Sequence, residues 1–138
     1  MKVLQMVLVM LMFASVANAR ETRRVCYNAH GLPVGSIIRS GNRTLYFNKY
    51  GRLRKTATTS GNVTVYYNIY GRRIGSKIVT GRTAIYCDEF GRKKGSSHSL
   101  GRKTTYYNAQ GRTTGTSTRS RKGTTYRNAN GRLRGTRR

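Results

Sequence analysis

The stretch Tyr66-Tyr67-Asn68-Ile69-Tyr70-Gly71-Arg72-Arg73-Ile74-Gly75 decides the fold. Asn-x-x-Gly between runs of Tyr, Thr, Val and Ile fits a type I turn, with Gly71 as the left-handed residue that closes a three-residue hairpin loop. The Asn side chain caps such a turn by accepting backbone N–H groups, and glycine takes positive φ without a Cβ clash. Downstream, Lys77-Ile78-Val79 leads into Thr80-Gly81, a second turn signal that sends the chain back. A glycine every few residues, with Thr and Tyr enrichment, excludes helix.

The unit repeats. Rows of twenty residues starting at Cys26, Tyr46, Tyr66, Tyr86, Tyr106 and Tyr126 align without a gap. The third position is Asn28, Asn48, Asn68, Asp88, Asn108 and Asn128, and the sixth is Gly in every row. The seventh is Leu32 once and then Arg52, Arg72, Arg92, Arg112 and Arg132. The tenth is Gly except at Lys55, and the sixteenth is Gly41, Gly61, Gly81 and Gly101, then Arg121 with Gly123 displaced nearby. Such order marks a repeat architecture, not low complexity. The expected fold class is all-β: six 20-residue β-hairpin repeats forming an extended antiparallel meander of about eleven strands, or a β-solenoid-like sheet.

If both turns keep a simple register, the first position faces the ninth and the nineteenth faces the eleventh. Tyr46, Tyr66, Tyr86, Tyr106 and Tyr126 then form an aromatic ladder on one face, with the seventh-position arginines within diagonal reach for cation–π contact. The other face carries Tyr27, Phe47, Tyr67 and Tyr107 with Leu45, Val65 and Ile85, and the tenth-position glycines lie beside them. The last two rows are poor in aliphatics, so the sheet is expected to weaken there.

Residues 1–19 read as a secretory signal peptide: a basic Met1-Lys2, an apolar core from Val3 to Ala14, and a small-residue site at Ala17-Asn18-Ala19. The apolar core is shorter than the roughly 18 residues a membrane span requires. Residues 20–25 form a basic lead, 26–131 the hairpin domain and 132–138 a basic tail expected to fray. The implied address is secreted, periplasmic or cell surface, with no transmembrane segment in the mature chain. Hydrophobic residues beyond the leader are too sparse for a two-layer core.

The formal net charge is +25, from 28 Lys and Arg against Glu21, Asp88 and Glu89. Self-repulsion at that density costs folding free energy that an anionic partner offsets. Three carboxylates and two histidines, His30 and His98, leave no catalytic constellation: Asp88 and Glu89 are adjacent in a turn and Ser97-His98-Ser99 lacks an orienting acid. Cys26 with His30 has no second ligand pair for zinc. The expectation is a protein that is not an enzyme and has no cofactor or metal. Cys26 and Cys87 fall on opposite faces three rows apart, roughly 29 Å in a flat sheet at about 4.8 Å per strand, so they are not expected to bridge within one molecule. Asn42-Arg43-Thr44 and Asn62-Val63-Thr64 are glycosylation sequons, with meaning only in a eukaryotic host.

Tyr67-Asn68-Ile69-Tyr70-Gly71-Arg72 and Cys87-Asp88-Glu89-Phe90-Gly91-Arg92 resemble the bacterial YD repeat of RHS-type proteins, Tyr-Asp-x-x-Gly-Arg. The likeness covers all six rows, with Asn for Asp in five, and bacterial MORN-type repeats look somewhat similar. The resemblance implies β-hairpin sheets at a cell surface. This short chain carries no toxin or core-associated segment, so it implies nothing about encapsulation.

Two functions follow as expectations. The first is binding of anionic polymers or surfaces, such as cell-envelope polysaccharide, lipopolysaccharide or nucleic acid without sequence specificity, through Arg52, Arg72, Arg92, Arg112 and Arg132. Recurring every twenty residues, these would form a row spaced about 9.6 Å in a flat meander, two strand spacings. The alternative is a structural surface or fibre-forming protein that self-associates through sheet edges.

Overall fold

The computed structural model describes residues 20–138; the signal peptide expected over residues 1–19 lies outside the described residues. Twelve strands follow the repeat: β1 (Thr22–Asn28), β2 (Pro33–Ser40), β3 (Arg43–Asn48), β4 (Leu53–Ser60), β5 (Val63–Asn68), β6 (Arg73–Thr80), β7 (Thr83–Asp88), β8 (Lys93–Leu100), β9 (Lys103–Asn108), β10 (Thr113–Ser120), β11 (Gly123–Asn128) and β12 (Leu133–Arg137). Each pairs antiparallel with its sequence neighbours, and β12 returns to β1. The all-β hairpin meander is therefore present, but it is a closed barrel and not an open sheet or solenoid. Strand twist and coiling supply the curvature, and closure pairs the N–H and C=O groups that two open edges would expose.

The Asn-x-x-Gly turns are as the sequence predicts. In the central hairpin the Gly71 N–H donates to the Asn68 carbonyl at 3.1 Å, and the Asn68 N–H to the Arg72 carbonyl at 2.9 Å. Asn68 Oδ1 accepts from the N–H groups of Tyr70 and Arg72 at 3.0 and 2.9 Å. Gly71 holds φ at +78°. At the other end Gly41, with φ +56°, occupies the first central position of a two-residue loop, the place a type II′ turn reserves for glycine. The β10–β11 loop departs from this pattern: Lys122 N donates to Ser120 Oγ at 3.2 Å, and positive φ moves to Gly123.

The register differs from the simple expectation in two ways: a two-residue return loop pairs Thr64 with Thr59 and not with Thr56, and the other edge carries one bulge per row. Tyr67 opposes Arg73 and Tyr66 opposes Gly75, which leaves Ile74 unpaired. The same shift recurs in the other five hairpins. The extra residue moves every later pairing by one, so Thr64 faces Lys77 and not Ser76. Pairing by one residue also decides face. The tenth-position glycines join the first-position tyrosines on the inner face, away from the second-position aromatics where they were expected.

Close approach explains those glycines. A Cβ on Gly75 would lie 2.7 Å from the Cys87 carbonyl oxygen of the next strand, and one on Gly135 would overlap the Tyr27 carbonyl across the closure. Two further expectations need correction. Thr22, Arg23, Arg24 and Val25, read as part of a basic lead, belong to β1, and the tail expected to fray contains β12, paired on both sides. Closure gives this last strand a second partner that an open sheet would not.

The only buried hydrophobic side chains among the described residues are Ala57 and Ala84. Order comes from backbone ladders and from tyrosine, threonine and aliphatic rows on the two faces of the wall, not from a large apolar core. Cys26 and Cys87 are free thiols, one on β1 and one on β7, on opposite sides of the barrel and opposite faces of the wall.

Candidate functional site: an arginine crown and a basic lumen

In an up-and-down barrel alternate loops gather at opposite ends. The six Asn/Asp-x-x-Gly loops therefore share one rim, and Arg52, Arg72, Arg92, Arg112 and Arg132 ring it, each exposed. The straight row expected of a flat sheet becomes a crown. Lys49, Arg54, Arg73, Lys93, Lys94 and Arg134 are exposed at the same end. Of the carboxylates there, Asp88 is committed to its own turn, accepting from the N–H groups of Phe90 and Arg92 at 2.9 Å each.

The predicted stacking of crown arginines on the first-position tyrosines does not occur. Arg92 lies 5.1 Å from the ring centroid of Phe90 in its own turn. The cations over the tyrosine ladder are lysines: Lys55 Nζ sits 4.7 Å from the Tyr46 ring and 5.2 Å from Tyr66, and Lys77 Nζ lies 5.9 Å from Tyr86. The bulge sets the tenth position opposite the first, as Lys55 faces Tyr46, and the two-residue return loop sets the twelfth opposite the first of the next row, as Lys77 faces Tyr86.

Tyr46, Tyr66, Tyr86, Tyr106 and Tyr126 point inward and line two cavities of about 540 and 330 Å³. Tyr46 and Tyr66 rings lie 6.4 Å apart at 51°. Tyr86 and Tyr106 hydroxyls engage Ser97 and Ser117 Oγ at 3.2 and 3.0 Å. Both cavities are bordered by Lys77, Arg119 and Arg137, the larger also by Arg24 and Arg39, and no Asp or Glu lines either. Sequence reasoning missed this lumen. Its cations sit at positions that vary from row to row, and the repeat analysis followed positions that do not.

Burial raises the pKa of Tyr46 and Tyr126 despite the opposing charge of Arg137. Tyr66 is pushed up to about 12, by burial first and then by the neighbouring Tyr46 and Tyr86 hydroxyls. The fold thus holds a proton on Tyr66 that the unfolded chain releases near pH 10. Stability from this group is complete below pH 10 and declines as pH rises from 10 towards 12. Titration of tyrosinate absorbance should show a late phase that Tyr66→Phe diminishes, Tyr46 and Tyr126 supplying the rest; an unchanged late phase would place the buried phenol elsewhere.

No protein-family model matches the chain, and no curated protein matches it. Among the described residues no helix is long and apolar enough to cross a membrane, and no three His, Cys, Asp or Glu side chains cluster as metal ligands would.

Proposed function

We propose that this is an exported, non-catalytic cationic β-barrel that binds anionic polymers or surfaces through its arginine crown. Cell-envelope polysaccharide, lipopolysaccharide and nucleic acid share the chemistry, a run of phosphate, sulfate or carboxylate groups. Export rests on the leader, and a place at the cell surface also on the likeness to YD repeats.

One observation carries the crown reading. The first row has Leu32 where the others have arginine, yet its turn closes identically: Asn28 N donates to the Leu32 carbonyl at 2.9 Å, and Leu32 N to Asn28 Oδ1 at 2.9 Å. The loop therefore needs nothing from the arginine side chain. Five exposed guanidinium groups at one rim, none required to close the turn, are available for a partner. Each is a planar fork suited to bidentate contact with phosphate or sulfate.

The experiment replaces Arg52, Arg72 and Arg112 by Gln in the mature chain and measures heparin and duplex DNA affinity against salt. Arg92 is left in place because it packs on Phe90. Affinity should drop and its salt dependence should flatten while the β spectrum is unchanged. Unaltered affinity in a folded variant would remove the crown as the contact surface.

A further inference from the structure

We propose that the lumen is a second, separate anion site, one that binds a small tetrahedral oxyanion (phosphate or sulfate, free or as a monoester) between Arg119, Thr124 and Arg137. The three residues sit side by side on β10, β11 and β12, since Arg119 pairs with Thr124 and Thr124 with Arg137 in the ladder. All three line the 330 Å³ cavity.

The repeat itself supplies the comparison. In two other rows the hydroxyl at Thr124's position is satisfied across the strand pair, Thr64 Oγ1 meeting Thr59 Oγ1 at 2.9 Å and Thr104 Oγ1 meeting Ser99 Oγ at 2.9 Å, while Thr44 faces Arg39 as Thr124 faces Arg119 but is only half-buried. Where those two rows have a hydroxyl, this one has Arg119, which can only donate. Thr124, at 7% exposure, is left with Oγ1 unpartnered, and the buried Nε of Arg137 also lacks a partner. A buried hydroxyl and a guanidinium N–H in this state cost free energy unless an acceptor arrives. No carboxylate lines the cavity. An oxyanion supplies several acceptor oxygens at once and compensates the two guanidinium charges, so it answers both deficits.

The same anion would tie the barrel shut. Arg24, Arg39, Arg119 and Arg137 lie on β1, β2, β10 and β12, bracketing the β1–β12 closure, and all four line the larger cavity. Their mutual repulsion works against the closure, and an anion among them reverses its sign.

Calorimetric titration of the mature chain with inorganic phosphate at low ionic strength tests this. The expected result is saturable uptake of a single equivalent, unaffected by the Arg52/Arg72/Arg112→Gln variant. Losing one charge-assisted bond should weaken binding about tenfold in Thr124→Val and by about tenfold or more in Arg119→Gln. Should Arg119→Gln fail to give the β spectrum, Thr124→Val, nearly equal in volume, decides alone. Glycerol phosphate binding as tightly as phosphate assigns the site to a monoester, and phosphate binding alone assigns it to the free ion; either upholds the proposal. Unchanged phosphate affinity in folded Thr124→Val, uptake of several equivalents that the crown variant abolishes, or no saturable uptake would overturn it. The polymer reading is untouched by those outcomes, because heparin and DNA affinity report on the crown separately.

Discussion

Gly135→Val should open the barrel. Gly135 opposes Asn28 across the closure, and a side chain there overlaps the Tyr27 carbonyl, so β12 must withdraw from β1. The seam has little to resist this. Its ladder runs only from Cys26, Tyr27 and Asn28 to Arg137, Thr136 and Gly135, extended by the reciprocal Val25–Arg138 backbone bonds at 2.7 and 2.9 Å. A cavity of about 250 Å³ lies along it, lined by Cys26, Tyr27, Gly135 and Thr136. Losing several backbone bonds at about 1 kcal/mol each predicts a loss of about 3–5 kcal/mol, a large share of a small domain's stability. The freed edges of β1 and β12 would then pair with other copies. Gly75→Val makes a similar approach, to Cys87, but within the continuous meander. That variant should lose stability and remain monomeric. Thermal unfolding and light scattering separate the two; a monomeric Gly135→Val of unchanged melting temperature would refute the seam as described.

Polymer binding should be steeply salt-dependent. Each phosphate neutralised on duplex DNA contributes about −0.9 to the slope of log affinity against log salt. Five crown arginines engaged together predict a slope of about −4.5, hence about a 500-fold loss between 50 and 200 mM salt. The triple Gln variant removes three contacts and should flatten the slope by about 2.7. Because the contacts read phosphate spacing and not base edges, unrelated DNA sequences should bind alike. A shallow wild-type slope, or one that the variant shares, would mean that the crown is not what holds the polymer.

Asn68 and Gly71 made the hairpins legible in the sequence, since each answers a specific demand of turn geometry. Several features escaped. Ile74 and its counterparts are bulged, yet nothing in their side chains marks them; Val34, Arg54, Lys94, Thr114 and Arg134 occupy the same place with unrelated chemistry. Missing that residue moved the tenth-position glycines to the wrong face and paired the crown arginines with the wrong rings. Closure escaped because it adds no new local rule. Gly135 meets Tyr27 across the seam as Gly35 meets Phe47 and Gly95 meets Tyr107 between successive rows, so a repeat that continues and one that closes read alike. The lumen was hidden for a related reason. Lys77, Arg119 and Arg137 occupy twelfth and fourteenth positions that follow no common residue type from row to row, and in a repeat protein the constant positions build the wall while the variable ones distinguish its interior.

Closure places the crown on one rim and creates the lumen, so the direct test is the distance between the first and last strands. Arg23 and Arg138 are both exposed, and Arg138 bonds to Val25, two residues from Arg23 along β1. Spin labels at Arg23→Cys and Arg138→Cys, in a Cys26→Ser/Cys87→Ser background, can be measured by pulsed dipolar spectroscopy. A closed barrel places these backbone positions about 8 Å apart, one strand spacing across and two residues along. A single short-distance population, at the lower limit of the method, is the predicted result. An open sheet of twelve strands would separate them by roughly 50 Å, eleven strand spacings, and a dominant population there would contradict the barrel.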